Sequence, residues 1–468
     1  MGDDQSRVSV IVTRPEDARH SMGQLAIYGT QHILTMYGGV IAPPLIVGGA
    51  AGLSVSDMAL LVTAGLFLSG LATLLQTLGI GPVGSRLPIV QGISFASVST
   101  MVTIASDGGL RPVFGAIIVA GLIGLALSSF FAKLVRLFPA VVTGTIITVI
   151  GLSLLPTAFR WAMGNNPKAA DYGSMGNIGF AGLTLLIILV ISRLFQGAIS
   201  RLSILLGLAV GTVLAVFTHH ADFGAVRDAK IIALPPILHF GGPTFEVGAI
   251  VSMTIVILVI MTETTADILA IGEIVGTDVD SARVAAGLRA DMLSTTVAPV
   301  FGSFPCSAFA QNVGLVALTG IKSRFVVAAG GLVLVLLGLF PVVGAVVAGI
   351  PYPVLGGAGI VLFGSVAASG IRTLARVDFT DNLNMVIVAV ALGVGLIPIA
   401  APTFWDKFPT WLGVIMHSGI SATAVVAIVL NLVFNEITNG NRAGASVFAA
   451  AEDLKDDLGE RLDDDIRD

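Results

Sequence analysis

The chain alternates long apolar stretches with short polar ones, and the apolar stretches have the length of membrane helices. About 20 mostly apolar residues cross a bilayer, so the gaps between successive Lys and Arg residues serve as a ruler. Between Arg19 and Arg86 lie 66 residues with no basic side chain, which is room for two spans. Single-span gaps follow at 86–111, 111–133, 136–160, 168–193, 201–227 and 230–283; 324–372 again holds two, and 376–407 and 407–442 hold one each. If residues 281 to 300 form one span and 301 to 319 a broken one, the total is 14; dividing that stretch differently gives 12 or 13. The pattern predicts an all-α polytopic membrane protein.

An even count places both termini on one side. Of the 24 Lys and Arg residues, 18 collect on that side, leaving Arg111, Arg160, Lys168, Arg227, Lys230 and Lys407 opposite. The positive-inside rule then makes both termini cytoplasmic, in a multi-pass protein of the inner (plasma) membrane. The longest hydrophilic stretch within the bundle, residues 219 to 247, separates seven spans from seven. An odd-numbered half must lie inverted relative to its partner, so 7+7 inverted repeats are expected.

Composition agrees with this pattern. A chain that is 55% hydrophobic and 11% charged, with mean hydropathy +0.95, is not a set of soluble domains. Its net charge of -5 gives no sign of a nucleic-acid partner. Residues 436 to 468 hold 10 acidic and 4 basic side chains and read as an acidic cytoplasmic tail. Residues 1 to 22 have no apolar run and read as a short solvated leader rather than a cleaved signal. The single cysteine, Cys306, excludes an intramolecular disulfide and a Cys-based zinc cluster. No cofactor or metal ligand set is suggested.

Two segments interrupt the apolar pattern in matched places. Pro88, Gln91, Gly92, Ser94, Phe95 and Ser97 fall in the third span, and Gly302, Ser303, Pro305, Cys306, Ser307 and Gln311 in the tenth, each the third span of its half. Proline removes an amide donor and disfavours helix before it, so both spans should be discontinuous, with short extended stretches. Non-helical backbone at membrane depth must be satisfied by protein or line a polar cavity. The competing reading is a simple proline kink in each helix.

Ionisable side chains inside spans are costly and need a reason. Glu263 and Asp267, four apart, share one face of the eighth span. Two carboxylates so close repel when both are ionised, which suits a site that exchanges a proton; the alternative is a pair satisfied by backbone and Thr hydroxyls. Asp291 in the ninth span either has a functional role or pairs locally with Arg289. His32 in the first span can relay protons, shape the site, or simply bond one buried neighbour. Gln311 and Asn312 follow the second broken segment, with Gly314 allowing close backbone approach. A primary amide beside a carboxylate matches a planar heterocycle with alternating ring N–H and carbonyl groups, and Phe95 can stack on a flat ring.

At these residues the chain resembles the nucleobase–ascorbate transporter family, also called nucleobase:cation symporter 2. The family signature is Gln/Glu/Pro, Asn, any residue, Gly, four residues, Thr, then Arg/Lys/Gly. It stands here as Gln311-Asn312-Val313-Gly314 through Thr319-Gly320. Further matches in order are Gln31-His32, Ser94-Phe95, Glu263, Asp267 and Asp291, and the resemblance covers about residues 20 to 435.

The resemblance implies 14 spans in two inverted seven-span repeats. Core spans 1–4 occupy 23–135 and core spans 8–11 occupy 248–346; gate spans 5–7 occupy 138–218 and gate spans 12–14 occupy 350–435. The stretch at 219–247 becomes an extracytoplasmic connection, and the molecule a homodimer paired mostly through the gate. Carried over by position, Glu263 and Gln311 would bind a purine ring, with the backbone at Ser94 and Phe95 closing a third side and the Phe95 ring stacking. Asn312, Gly314, Asp291, His32, Asp267 and Thr319 would support the site or take part in proton coupling. Asn431 and Asn435 have no part in this scheme. Val313 stands where many xanthine carriers have a second Asn and is similar to uric acid carriers, whereas Asp267 resembles xanthine-recognising members. The expected function is proton-coupled import of xanthine, uric acid or both by alternating access. The alternatives are a uracil or other nucleobase carrier, or an anion exchanger of the same architecture, which would want basic groups where this chain has Glu263. No protease, metal-hydrolase or serine-elbow motif is present to suggest an enzyme.

Overall fold

The computed structural model describes residues 14–437, apart from 132–136, 219, 222 and 381. The acidic tail from 438 onward and the first 13 residues lie outside the described residues. We number the principal helices α1 (Met22–Ala50), α2 (Val55–Leu78), α3 (Val98–Gly108), α4 (Leu110–Leu127), α5 (Ala140–Ala162), α6 (Met175–Leu194), α7 (Ser203–Phe217), α8 (Val247–Val275), α9 (Ser281–Val297), α10 (Ala310–Thr319), α11 (Arg324–Gly338), α12 (Tyr352–Leu374), α13 (Asn382–Ala400) and α14 (Gly419–Asn431). Two strands, β1 (Gln91–Ile93) and β2 (Cys306–Ala308), precede α3 and α10.

Among the described residues, eight helices are long and apolar enough to cross a membrane: α1, α2, α4, α5, α6, α8, α12 and α13. There are nine if α11 is joined to the short helix Pro341–Ala348, from which it is bent by 80°. The other five fall short for visible reasons. α3 and α10 are 11 and 10 residues long because strand replaces the rest of each segment. α7 and α14 have 15 and 13 residues, and α9 carries Arg283, Arg289 and Asp291 within 17.

Local chemistry sets the ends of several helices. Ser21 caps α1 with a reciprocal Gln24 contact, and Ser54, Ser174 and Asp280 cap α2, α6 and α9. Gly276 and Gly320 end α8 and α10 in the left-handed conformation that favours glycine.

The helices pack in two groups. In one, α2 and α1 lie against α11 and against each other, while α4 and α8 lie against α9 and against each other. In the other, α5 packs on α12, α13 and α14, and α6 on α7 and α12. Pairings recur at a shift of seven: α1 with α11 answers α8 with α4, α2 with α11 answers α9 with α4, and α6 with α12 answers α13 with α5. Glycine permits the tightest of these approaches. A Cβ on Gly151 of α5 would sit 2.2 Å from the Ala367 nitrogen of α12, and one on Gly370 would sit 2.3 Å from the Thr148 nitrogen. Such backbone contact is how membrane helices gain dispersion energy when lipid removes the hydrophobic drive between them.

The groups meet where α3 and α8 touch α14 and where α1 touches α7. At the first contact, Thr100 Oγ1 lies 2.6 Å from Ser418 Oγ and 3.4 Å from Ser421 Oγ, and Ser252 Oγ lies 3.2 Å from Ser421 Oγ. All four hydroxyls are buried.

Within the stretch expected to be a solvated leader, one short turn is docked on the bundle. Pro15–Asp17 forms a turn whose Glu16 is 1% exposed and pairs with Arg283 at 2.7 Å, while Asp17 pairs with Arg324 at 2.6 Å and Ser323 donates to the Ala18 carbonyl. Charge sited beside fixed guanidinium groups docks rather than hydrates. Asn431 and Asn435, unassigned from sequence, bond one another at 2.8 Å, and Asn435 also donates to Asn384 of α13 at 3.1 Å. They tie the end of α14 to the start of α13.

Candidate functional site

The two interrupted segments meet. β1 and β2 are antiparallel, with Gln91 opposite Ala308, Gly92 opposite Ser307 and Ile93 opposite Cys306. The pairing extends through Ser94 N–H to the Pro305 carbonyl, 2.8 Å, and Phe309 N–H to the Val90 carbonyl, 3.1 Å. A proline kink in each helix is therefore not what the residues build. Two strands leave outer amides unpaired, and buried amides need acceptors. Three threonines from three helices supply them. Thr73 of α2 accepts from Gln91 N at 2.9 Å, Thr295 of α9 from Cys306 N at 3.1 Å, and Thr264 of α8 from Ala308 N at 3.2 Å. Sequence reading found the broken segments but missed these threonines, whose commoner use is the i−4 bond that Thr265 makes to the Met261 carbonyl.

α8 passes behind β2 and α10 and carries Glu263 and Asp267, both half-buried. No Lys or Arg occurs between Lys230 and Arg283 to neutralise them. Glu263 and Asp267 lie one turn apart on α8 and Asp291 of α9 is tied to the same helix through Thr264, so three acids from two helices lie in one region. Asp291 is fully buried and takes a hydrogen bond from Thr264 at 2.5 Å. The local ion pair with Arg289 does not form, because Arg289 reaches outward to the Pro82 carbonyl and the Ser129 hydroxyl.

His32 and Asn312 are brought together, Nδ1 to Oδ1, at 3.0 Å, and Asn312 also donates to the Pro88 carbonyl at 2.7 Å. The signature Asn thus braces α10 against α1 and against the entry to β1. Gln311, beside it, is exposed, as are Ala310, Gly314, Ala317 and Leu318, which makes an open stripe along α10. Gly314 does not serve close packing, since a Cβ there would meet nothing within 4 Å. Thr319 bonds the Leu315 carbonyl and receives the Ile321 amide, a local cap at the end of α10. Ser94 caps the turn Phe95–Ser97 by accepting from Ala96 N.

Phe95 is half-buried and meets Phe363 of α12 edge-on, with centroids 6.1 Å apart. A Cβ on Gly39 of α1 would lie 3.1 Å from the Phe309 ring and 3.6 Å from the Phe95 ring, so both rings abut that glycine. Phe309 also covers Gly92, where a Cβ would approach its ring to 2.5 Å. Sequence reading did not single out Phe309. A separate cavity of about 400 Å³, lined by Arg14, Glu16, Arg86, Arg283 and Arg324 among others, includes none of these residues.

The stretch that holds these residues is also the one that matches known proteins. A permease family matches residues 23–404. The uric acid transporter UacT of Escherichia coli K12 is 41% identical over 421 residues, 89% of this chain and 87% of that protein. The xanthine permease of Bacillus subtilis 168 is 39% identical over 424 residues, 91% of this chain and 97% of that protein. Among solved structures, the transmembrane domain of the cyanobacterial bicarbonate transporter BicA matches with TM-score 0.59 at 16% identity, covering 89% of this chain and all of that one. The murine Slc26a9 anion transporter in its inward-facing state gives 0.58 at 14% identity, covering 89% and 69%. At such identities the likeness shows the fold alone.

Proposed function

The chain belongs to the nucleobase–ascorbate transporter family, in its xanthine and uric acid permease branch, and from that premise we propose that it imports xanthine, uric acid or both together with a proton. It is an integral membrane purine nucleobase transporter and not an enzyme. The observation that carries the finer reading is the half-buried Glu263–Asp267 pair on α8, packed against β2 and α10 with no basic residue on its own helix. Glu263 is the group to accept two adjacent ring N–H donors, and Gln311, on the open stripe of α10, presents a donor and an acceptor side by side. The Phe95 ring and its backbone close the third side. The half-helices α3 and α10 start at the strand ends, so both positive N-terminal ends point into the same region.

Alternating access is supported by the two packing groups. We read α1–α4 and α8–α11 as a core and α5–α7 and α12–α14 as a gate, with fourteen spans in two inverted halves. The recurrence of pairings at a shift of seven supports the inversion. Both termini lie in the cytoplasm of this reading, and two copies pair through the gate. An exchanger of small anions with the same fold is disfavoured, because three acids rather than basic groups occupy the site.

Uptake of radiolabelled xanthine and uric acid tests the proposal, each with and without a protonophore and in a Glu263→Gln variant. Accumulation should collapse with the protonophore, and the variant should lose active uptake. Accumulation unaffected by both would sink it.

A further inference from the structure

One hydroxyl stands between the most buried acid and the strand that leads to α10. Thr264 Oγ1 donates to Asp291 Oδ2 at 2.5 Å and accepts from the Ala308 amide at 3.2 Å. Thr264 and Asp291 are both 0% exposed, so no bulk water can replace either partner. Three residues beyond Ala308 is Gln311, reached through Phe309 and the first residue of α10.

The proton count on this hydroxyl is restrictive. An amide N–H can only donate, so Thr264 must spend a lone pair on Ala308 and send its single proton to an acceptor. An ionised Asp291 accepts it. A proton placed on Oδ2 makes that oxygen a donor, and the Thr264 hydroxyl can then accept from it and from Ala308 only by turning its own proton to another acceptor. The link answers to that proton in either place: on Oδ2 it makes the hydroxyl turn or the carboxyl present Oδ1, and on Oδ1 it removes the charge that strengthens the Thr264 bond. Among the described residues Oδ1 has no hydrogen-bond partner to hold it in place. The other groups facing Asp291 are Asp267 from α8, Cys306 from β2, and the Gln91 amide from β1, which approaches the acid without reaching hydrogen-bond geometry. Gln91 is the register partner of Ala308, so a move of the carboxyl is felt at both strands.

We propose that Thr264 is a positioning residue that links the charge state of Asp291 to β2, and through β2 to the placement of Gln311. The assignment rests on the purine-carrier reading for its consequence in transport, but the link itself is tested without substrate. Amide hydrogen exchange of the purified full chain, followed in the peptide that contains Ala308, reads the strand directly. Thr264→Val keeps the branched shape and removes the hydroxyl; Thr264→Ser keeps the hydroxyl. Exchange should rise in Thr264→Val and stay near wild type in Thr264→Ser. In uptake assays Thr264→Val should raise the purine KM about tenfold, the cost of one orphaned buried donor, with a smaller change in kcat.

A double-mutant cycle separates coupling from packing. Thr264→Val should add little to Asp291→Asn, in exchange and in purine binding, because both act on one link. Additive effects would overturn the proposal, as would a Thr264→Ser variant as damaged as Thr264→Val, or unaltered exchange in Thr264→Val. A wild-type chain that carries no purine defeats the functional reading, while the exchange cycle still decides the link.

Discussion

His32 Nδ1 and Asn312 Oδ1 lie 3.0 Å apart although 280 positions separate them in the chain. Asn312 in turn donates to the Pro88 carbonyl, so one amide joins the first helix, the start of the first strand and the half-helix bearing Gln311. Removing that amide with Asn312→Ala leaves a buried carbonyl and a buried ring nitrogen unpaired. Polar links between membrane helices are worth about 1–2 kcal/mol at most, so the melting temperature in detergent should fall modestly. The purine KM should rise more than stability falls, because Gln311 loses its brace. A variant with native KM would contradict the role given to this link.

Thr100, Ser418, Ser421 and Ser252 form the buried hydroxyl cluster where α3 and α8 meet α14. If the two helix groups separate there during the cycle, these bonds break in every turnover. Thr100→Val should therefore shift the resting population toward the separated state. Accessibility of a cysteine introduced beside Ser421 to an impermeant reagent reads the shift; equal labelling in both backgrounds would show that the groups stay joined at this point.

Gly151→Ala should be among the more damaging single substitutions outside the site. The added methyl would lie 2.2 Å from the Ala367 nitrogen of α12, and backbone cannot yield as a side chain does. Overpacking costs about 1–3 kcal/mol, which should appear as a lower melting temperature and reduced folded yield. Gly182→Ala on α6, with nothing within 4 Å, is the control that should leave both unchanged.

Cys306 is the chain's single thiol, fully buried in β2 and unpaired. Buried thiols in apolar surroundings are inert. A maleimide should label the folded protein very slowly and the SDS-denatured protein once per chain. Rapid labelling of the folded state would mean that β2 is accessible.

Arg283→Ala should destabilise more than Glu16→Ala. Arg283 serves Glu16, the Ser85 and Arg86 carbonyls and the Asp278 carbonyl, whereas Glu16 serves Arg283 and Thr277. Deleting one partner of a buried pair costs about 3–5 kcal/mol, reduced here because Arg283 is partly exposed. Thermal melts of the two variants give the order.

Much of the site was legible because lipid makes polar residues conspicuous. Pro88, Gly92, Pro305 and Ser307 could not continue a helix, and Glu263 and Asp267 could not sit idle in an apolar stretch. What escaped reading was long-range pairing. Thr73, Thr264 and Thr295 look like ordinary helical threonines until the strands they serve are in place. Asp291 looked closest to Arg289 along the chain, yet the helix turns the two apart and Thr264 stands nearer. Gly314 suggested close packing, but its face is open, since a missing side chain signals either contact or clearance. The docking of Glu16 and Asp17 escaped reading because their guanidinium partners come near only in three dimensions.

The docked turn at Pro15–Asp17 also sets an order for biogenesis. Glu16 reaches a partner 267 positions downstream and Asp17 one 307 positions downstream, so the turn can dock fully only after Arg283 and Arg324 have been synthesised. A nascent chain halted before Arg324 leaves Asp17 without its guanidinium partner at the membrane surface. The turn before α1 thereby closes only once α9 and the start of α11 are in place, and a copy truncated before Arg324 cannot complete it.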